Sequence, residues 1–112
     1  MLVSAKNKPR YPVKIVAVTA CPTGIAHTYM AADALVKAAA KHKVHIKVET
    51  QGAMGIENLL SEREIENADR VLIVSDIEIE SPERFNRVEV VRLPIEEVLR
   101  NVDKVFIRHA RG

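Results

Sequence analysis

The sequence has very little of what several functional classes need. Its 112 residues include no tryptophan, and aromatic residues make up only 4%. Proteins that bind single-stranded nucleic acids stack bases on aromatic side chains, so this composition argues against that class. Acidic and basic residues are interleaved and the formal net charge is +2, so no dense basic surface for nucleic acid is indicated.

Long hydrophobic runs and paired cysteines are also missing. No apolar stretch approaches the roughly 20 residues that span a bilayer, and the N-terminal MLVSAKNKPRYP lacks the apolar segment of a signal peptide. A single cysteine cannot form an intramolecular disulfide, which agrees with a reducing compartment. We therefore expect a cytoplasmic protein, and its length suffices for one layered core.

Strand and helix patterns alternate along the chain. Residues 1–12 lack periodicity and predict a flexible lead or linker, so the folded domain is expected over residues 13–112. Strands are predicted at 13–18, 44–49, 71–74 and 88–91. A long helix is predicted at about 24–41, and a short one begins at a capping box formed by Ser61 and Glu64. A third helix is predicted after Pro94, because Ile95, Val98 and Leu99 recur at helical spacing. The tail from Asp103 either extends the last predicted helix or pairs weakly, and both stay open.

This alternation predicts an α/β three-layer sandwich with a four-stranded parallel sheet and helices on both faces. The first and third strands are continuously apolar and are expected at the centre. The second alternates, with Glu49 on its exposed face, and is expected near an edge, so the order is 2-1-3-4. Ligands bind beyond the carboxyl ends of such strands at the switch point, where Cys21 and Asp76 follow the two central strands.

The only cysteine lies between the end of a strand and the start of a helix, in ACPTGIAHT. Unpaired N–H groups and the positive end of a helix dipole favour a thiolate there, so the pKa of Cys21 is expected below the roughly 8.5 of a free cysteine. The same groups can hold phosphoryl oxygens, with Gly24 allowing close approach of the backbone. This pattern predicts a phosphocysteine nucleophile at Cys21 and a phosphate-binding loop of Pro22, Thr23, Gly24, Ile25, Ala26, His27 and Thr28.

Simpler roles compete at several of these positions. A lone cysteine is most often a small buried hydrophobic residue, but its place before Pro-Thr-Gly and a helix favours the nucleophile. His27 is either a donor to phosphate or a first-turn residue that packs on the loop, and both roles stay open. Tyr29 and Met30 are expected in the core. The acidic run 57–66 is expected to be a solvated helix face. No metal or cofactor is expected, since the other histidines have no further ligand at hand.

Longer stretches resemble a known family. KIVAVTACPTGIAHTYMAADAL, followed by VHIKVETQGAMGIENLL, resembles the fructose-specific enzyme IIB component of the bacterial phosphoenolpyruvate-dependent sugar phosphotransferase system. The resemblance runs from about Val13 to Leu99 and is most specific in CPTGIAHT, with support from VETQG, IVSDIEIE and ERF. Residues 1–12 have no counterpart in the family pattern, and Pro82 falls where the loop length varies.

The resemblance implies a relay. Cys21 would take a phosphoryl group from a phosphohistidine of the IIA component and pass it to a sugar bound by the membrane-embedded IIC component. The implied fold is a four-stranded parallel sheet flanked by helices, and no cofactor is implied. The protein would work in the cytoplasm, at the inner face of the membrane through IIC. Fructose is the default sugar, with mannitol-like or mannosyl substrates open.

Two other classes compete with the relay. Low-molecular-weight tyrosine phosphatases place a C-x5-R loop after the first strand of a similar sheet, but here His27 stands where the arginine is required. Asp76 would be the only well-placed acid for hydrolysis. The second alternative is a non-catalytic regulatory or interaction domain on the same scaffold, which keeps the loop without a transport partner. It would fit if Cys21 never carried phosphate, but the intact CPTGIAHT argues against it.

Overall fold

Five strands form one sheet, described by a computed structural model for residues 13–22 and 26–109. In this part of the chain the strands lie in the order β3-β2-β1-β4-β5. The strands are β1 (Lys14–Ala20), β2 (His45–Gly52), β3 (Gly55–Glu57), β4 (Arg70–Ser75) and β5 (Val91–Leu93); the helices are α1 (His27–His42), α2 (Glu62–Glu66), α3 (Ile95–Arg100) and α4 (Val102–His109), with a 3-10 helix at Pro82–Phe85. The predicted lead at residues 1–12 lies outside the described residues.

The prediction of a four-stranded, all-parallel sheet is wrong, because the sheet has five strands and is mixed. β3 pairs antiparallel with β2 through a tight hairpin in which Gly52 lies opposite Gly55. Gly55 has φ +92°, a conformation that glycine adopts easily. The other four strands are parallel and follow the predicted spatial order. All three residues of β3 are exposed, so no hydrophobic period marked this strand in the sequence.

Several local predictions are confirmed. Ser61 caps α2 in a capping box, in which its Oγ accepts from the Glu64 N–H at 3.1 Å and a Glu64 carboxylate oxygen accepts from the Ser61 N–H at 2.9 Å. Pro94 precedes α3, whose Ile95 and Val98 are buried. The sequence left two structures open for the tail. Its described part forms a separate helix, α4, which begins after α3 has ended at Arg100 and which packs on α1.

Other local predictions are wrong. Met30 is not in the core, because 54% of it is exposed; α1 instead turns Ala31, Leu35 and Ala38 inward. Glu49 is fully buried rather than on an exposed face. The last strand begins at Val91, three residues later than the sequence pattern suggested. The acidic run 57–66 is not one helix face, since it covers the end of β3, a connection and α2.

Alternate residues of β1 face two separate hydrophobic clusters. Ile15 and Ala17 belong to the cluster covered by α1, α3 and α4. Val16 and Val18 belong to the cluster on the other side, together with residues of α2 and the 3-10 helix. Both faces of the sheet are therefore covered, and the carboxyl ends of the strands are left to carry loops.

A buried ion pair links β2 to the 3-10 helix. Arg84 donates from Nη1 and Nη2 to the two carboxylate oxygens of Glu49 at 2.7 and 3.0 Å. The Leu60 N–H and the Gln51 side-chain amide donate to the same carboxylate at 2.8 and 2.7 Å. Burial alone would raise the pKa of Glu49, but the hydrogen bonds from Arg84, Leu60 and Gln51 outweigh it and hold the pKa below its usual range.

The same network fixes the segment that follows β4. Arg84 donates to the carbonyl oxygens of Leu60 and Glu80 at 3.0 and 3.1 Å. Gln51 accepts from the Glu80 N–H at 2.8 Å. Because Gln51 lies opposite Ala20 in the sheet, this network holds residues 80–84 beside the end of β1, where Cys21 begins the next loop.

We predict that Arg84→Met lowers the free energy of unfolding by about 3–5 kcal/mol at neutral pH, since it leaves a buried carboxylate without its counter-ion. In the wild type, the stabilisation from Glu49 is present above the ordinary glutamate pKa and is lost as the pH falls through the lowered folded-state pKa. In the variant, the hydrogen bonds and charge of Arg84 no longer lower the pKa of Glu49, so protonation begins at a higher pH and relieves the penalty. The stability difference between the two proteins should therefore shrink as the pH falls toward about 4; urea unfolding at several pH values measures it.

The control for this experiment is the double variant Glu49→Gln/Arg84→Met. Glutamine keeps the shape of the side chain but carries no charge, so the double variant should be more stable than Arg84→Met at neutral pH. Its stability should also lack the acid-dependent recovery. A constant difference between wild type and Arg84→Met across the pH range would contradict a charged pair at this position.

Candidate functional site

Cys21 leaves the central strand at the carboxyl edge of the sheet. Ala20, the last residue of β1, pairs with Gln51 of β2 on one side and with Ser75 of β4 on the other. The β2–β3 hairpin and the segment after β4 therefore flank the cysteine. Cys21 itself is only 5% exposed and belongs to the cluster under α1.

A hydroxyl group from α1 donates directly to the sulfur. Thr28 Oγ1 lies 2.9 Å from Cys21 Sγ, and Thr28 is fully buried. Burial disfavours a charged thiolate, whereas a hydrogen bond donated to sulfur favours it. Thr28 can direct this bond because it is the second residue of a helix that starts just beyond the loop. The fold thus supplies a polar partner for a thiol that belongs to a hydrophobic cluster.

The N-terminus of α1 has no capping side chain in the described part of the chain. Ala26 occupies the cap position, and its carbonyl accepts from the Met30 N–H at 2.8 Å. Its φ of 49° is uncommon for alanine, and the first turn contains no acidic residue. The first N–H groups of the helix are not used within it, so they and the positive end of the helix dipole favour an anion near Cys21.

The described residues of the predicted loop fall into two groups. Thr28 is buried on the sulfur, whereas Pro22, Ala26 and His27 are exposed. The exposed side chain of His27, the first residue of α1, is accessible to an anion or a partner. Residues 23–25, which are Thr23, Gly24 and Ile25, lie outside the described residues, so their predicted contact with phosphate stays a prediction.

Asp76 emerges beside Cys21 from the neighbouring strand. Since Ala20 pairs with Ser75, the two residues are the next ones along β1 and β4. The Ser75 hydroxyl accepts from the Ile77 N–H at 3.0 Å and donates to the Ile77 carbonyl at 2.6 Å, which closes a turn around Asp76. The Asp76 side chain is exposed, and its predicted contribution to the site stays a prediction.

The sequence pattern does not identify the two charged residues that support the loops. Alternation along β2 places Glu49 on an exposed face, and its partner Arg84 is 35 residues away in the sequence. The only available signal was that VETQG and ERF took part in the family resemblance, without an indication that they contact each other. No hydrophobic periodicity predicts such a long-range ion pair.

Neither a metal site nor a membrane span is found in residues 13–22 and 26–109. No three or more histidine, cysteine, aspartate or glutamate side chains come together there as ligands for an ion. None of the helices there has both the length and the apolar character needed to cross a bilayer.

Comparisons with known proteins give consistent matches. The family model described as "PTS system, Lactose/Cellobiose specific IIB subunit" matches residues 16–108. The chain is 47% identical over 93 residues to the PTS system fructose-like EIIB component 2 of Escherichia coli (strain K12), covering 83% of this chain and 88% of that protein. It is 49% identical over 93 residues to the PTS system fructose-specific EIIABC component of Bacillus subtilis (strain 168), covering 83% of this chain and 14% of that longer protein.

A solved structure gives the same match in three dimensions. It is a domain from the fructose-specific IIABC component (PTS system) of Borrelia burgdorferi, with a TM-score of 0.79 and 43% identity. The superposition covers 86% of this chain and 91% of that one. The sugars named for these relatives differ from those in the family description, so the matches agree on the component type rather than on one sugar.

We predict that Thr28→Val slows alkylation of Cys21 by iodoacetamide at neutral pH, because the thiolate loses its hydroxyl donor while the side chain keeps its shape. Hydrogen bonds to charged groups contribute about 1.5–3 kcal/mol, so the rate should fall about tenfold or more. Thr28→Ser keeps the hydroxyl and should react nearly as fast as the wild type. Equal alkylation rates for Thr28→Val and wild type across a pH series would show that this contact does not activate the sulfur.

Proposed function

The chain belongs to the IIB components of the bacterial sugar phosphotransferase system, and from this membership we propose that Cys21 is the residue that carries the phosphoryl group. The resemblance noted in the sequence is confirmed, and with it the enzyme class: the chain is a fructose-type phosphotransferase component that acts in phosphoryl transfer to sugar. The residue assignment is our own inference.

The observation that carries this assignment is that Cys21 leaves the central strand and accepts a hydrogen bond from Thr28, in the first turn of a helix that has no capping side chain. The thiolate attacks the phosphorus of a phosphohistidine, the P–N bond breaks, and the departing imidazole takes a proton. In the second half, a sugar hydroxyl attacks the same phosphorus and loses its proton to water, the P–S bond breaks and the thiolate leaves. Backbone N–H groups and the helix dipole stabilise the phosphoryl charge, which is the main requirement of such transfers.

The relay needs two protein partners in succession. We propose that a phosphorylated IIA component is the donor and that a membrane-embedded IIC component holds the acceptor sugar. This chain would then work in the cytoplasm at the inner face of the membrane. Its working unit would span residues 13–112, with residues 1–12 as a lead or linker. Fructose is the proposed sugar, on the strength of the relatives named for it.

The alternatives from other classes have less support. A tyrosine-phosphatase mechanism needs an arginine to clamp the phosphate, and His27 occupies the corresponding position with an exposed imidazole. A purely regulatory domain would accept the phosphoryl group without passing it to a sugar. The hydrolase and the regulatory domain each differ from the relay in the fate of the phosphoryl group, so one experiment separates all three.

We predict that wild-type protein gains one phosphoryl group when incubated with phosphoenolpyruvate and the upstream phosphocarriers, whereas Cys21→Ser gains none. Serine preserves the geometry but is a far poorer nucleophile at neutral pH. Intact mass spectrometry measures the gain, peptide mapping locates it, and circular dichroism verifies that the variant is folded.

The subsequent fate of the phosphoryl group provides the control. Membranes that contain IIC and its sugar should remove it from Cys21 and yield sugar phosphate. Full phosphorylation of Cys21→Ser would contradict the assignment. Spontaneous release as inorganic phosphate would identify a hydrolase, and a stable phosphoprotein that no IIC membrane discharges would identify a regulatory domain.

A further inference from the structure

Large apolar side chains are exposed around the edge of the sheet that carries Cys21. Met54 is 75% exposed at the tip of the β2–β3 hairpin, and Ile77 is 42% exposed just after β4. Met30 is 54% exposed in the first turn of α1. Because β1 lies between β2 and β4, the hairpin and the segment after β4 stand on opposite sides of Cys21.

The same edge is acidic although the whole chain has a small positive net charge. Asp76, Glu78 and Glu80 are all exposed and alternate with isoleucines directly after β4. Charges of both signs are mixed at the opposite edge, where β1 and β4 begin at Lys14 and Arg70 and where Asp69, Glu66 and Glu89 precede the strands. We call the set Met30, Met54, Asp76, Ile77, Glu78 and Glu80 the acidic-apolar face.

This combination suits a partner with an apolar patch surrounded by lysine and arginine. The cytoplasmic loops of integral membrane proteins carry an excess of these residues. A phosphorylated IIA donor, in contrast, brings another negative charge toward the carboxylates. A bare anionic bilayer would also be repelled by them. The charges on this face therefore favour the membrane-embedded carrier over both of the other occupants.

We propose that the acidic-apolar face docks onto basic cytoplasmic loops of the IIC sugar carrier. This inference rests on the proposed function, since a phosphoryl group on Cys21 adds about 1.5–2 negative charges to the same edge. The phosphorylated protein is then attracted more strongly to the carrier than the discharged protein is. Charge complementarity of this kind acts on encounter and orientation, so it is sensitive to salt.

The test compares two double variants with the same change in net charge. Glu78→Gln/Glu80→Gln removes two carboxylates from the face while leaving the backbone atoms of Glu80 available to Gln51. Glu66→Gln/Glu89→Gln removes two exposed carboxylates from the segments that lead into β4 and β5, at the opposite edge of the sheet. Both are phosphorylated through the upstream carriers, and transfer to sugar is measured with IIC membrane vesicles at increasing salt.

We expect Glu78→Gln/Glu80→Gln to raise the KM for the carrier several-fold at low salt, with kcat retained and the difference disappearing at high salt. Its acceptance from phosphorylated IIA should be as fast as in the wild type or faster. The Glu66→Gln/Glu89→Gln control should match the wild type in both steps. For the apolar part, Met54→Ser should impair transfer to the carrier more than Ile107→Ser, which alters another exposed apolar residue, on α4.

Two results would overturn this inference while the proposed function stands. One is a wild-type protein that relays phosphate normally while the Glu78→Gln/Glu80→Gln variant behaves like its control. The other is a larger effect on acceptance from IIA than on transfer to the carrier, which would assign the face to the donor. A wild-type protein that fails to become phosphorylated on Cys21 would instead remove the proposed function itself.

Discussion

The buried carboxylate of Glu49 is the constraint on which the Cys21 edge depends. It accepts four hydrogen bonds, two of them from Arg84, and these come from three separate parts of the chain. A charged group at this depth must be fully paired, because an isolated buried charge is very costly. Satisfying it brings β2, the connection before α2 and the segment after β4 together. Both flanks of Cys21 are positioned as a consequence.

The thiol faces the same problem of burial on the opposite side of the sheet. The hydroxyl of Thr28, placed by the first turn of α1, donates to the sulfur there. The first turn of α1 thus supplies the hydroxyl that donates to the sulfur and also N–H groups that are not used within the helix. The donor to the sulfur and these N–H groups belong to one helix, whereas Cys21 itself follows the end of β1.

The sequence allowed prediction of the parts of this arrangement that are local. Continuous apolar runs marked β1 and β4, and the strand-loop-helix unit placed Cys21 near Thr28 because only six residues separate them. Glu49 was misplaced because alternation assigns faces but cannot say that both faces of β2 are covered. β3 was missed because three exposed residues carry no periodic signal. The Arg84 contact depends on the tertiary fold, since no short-range pattern connects residues so far apart.

The charges around Cys21 also bear on how well it can act as a carrier. A carrier must hold the phosphoryl group firmly enough to receive it and weakly enough to release it. If Cys21 carries the phosphoryl group, as we propose, the N-terminus of α1 would stabilise its charge, whereas the exposed carboxylate of Asp76, the next residue along the neighbouring strand, would oppose it. Exposure of Asp76 to water and salt screens this repulsion. The loaded state of the proposed relay would then be favoured by the helix on one side of the site and opposed by the carboxylate on the other, and transfer to the sugar would relieve that opposition.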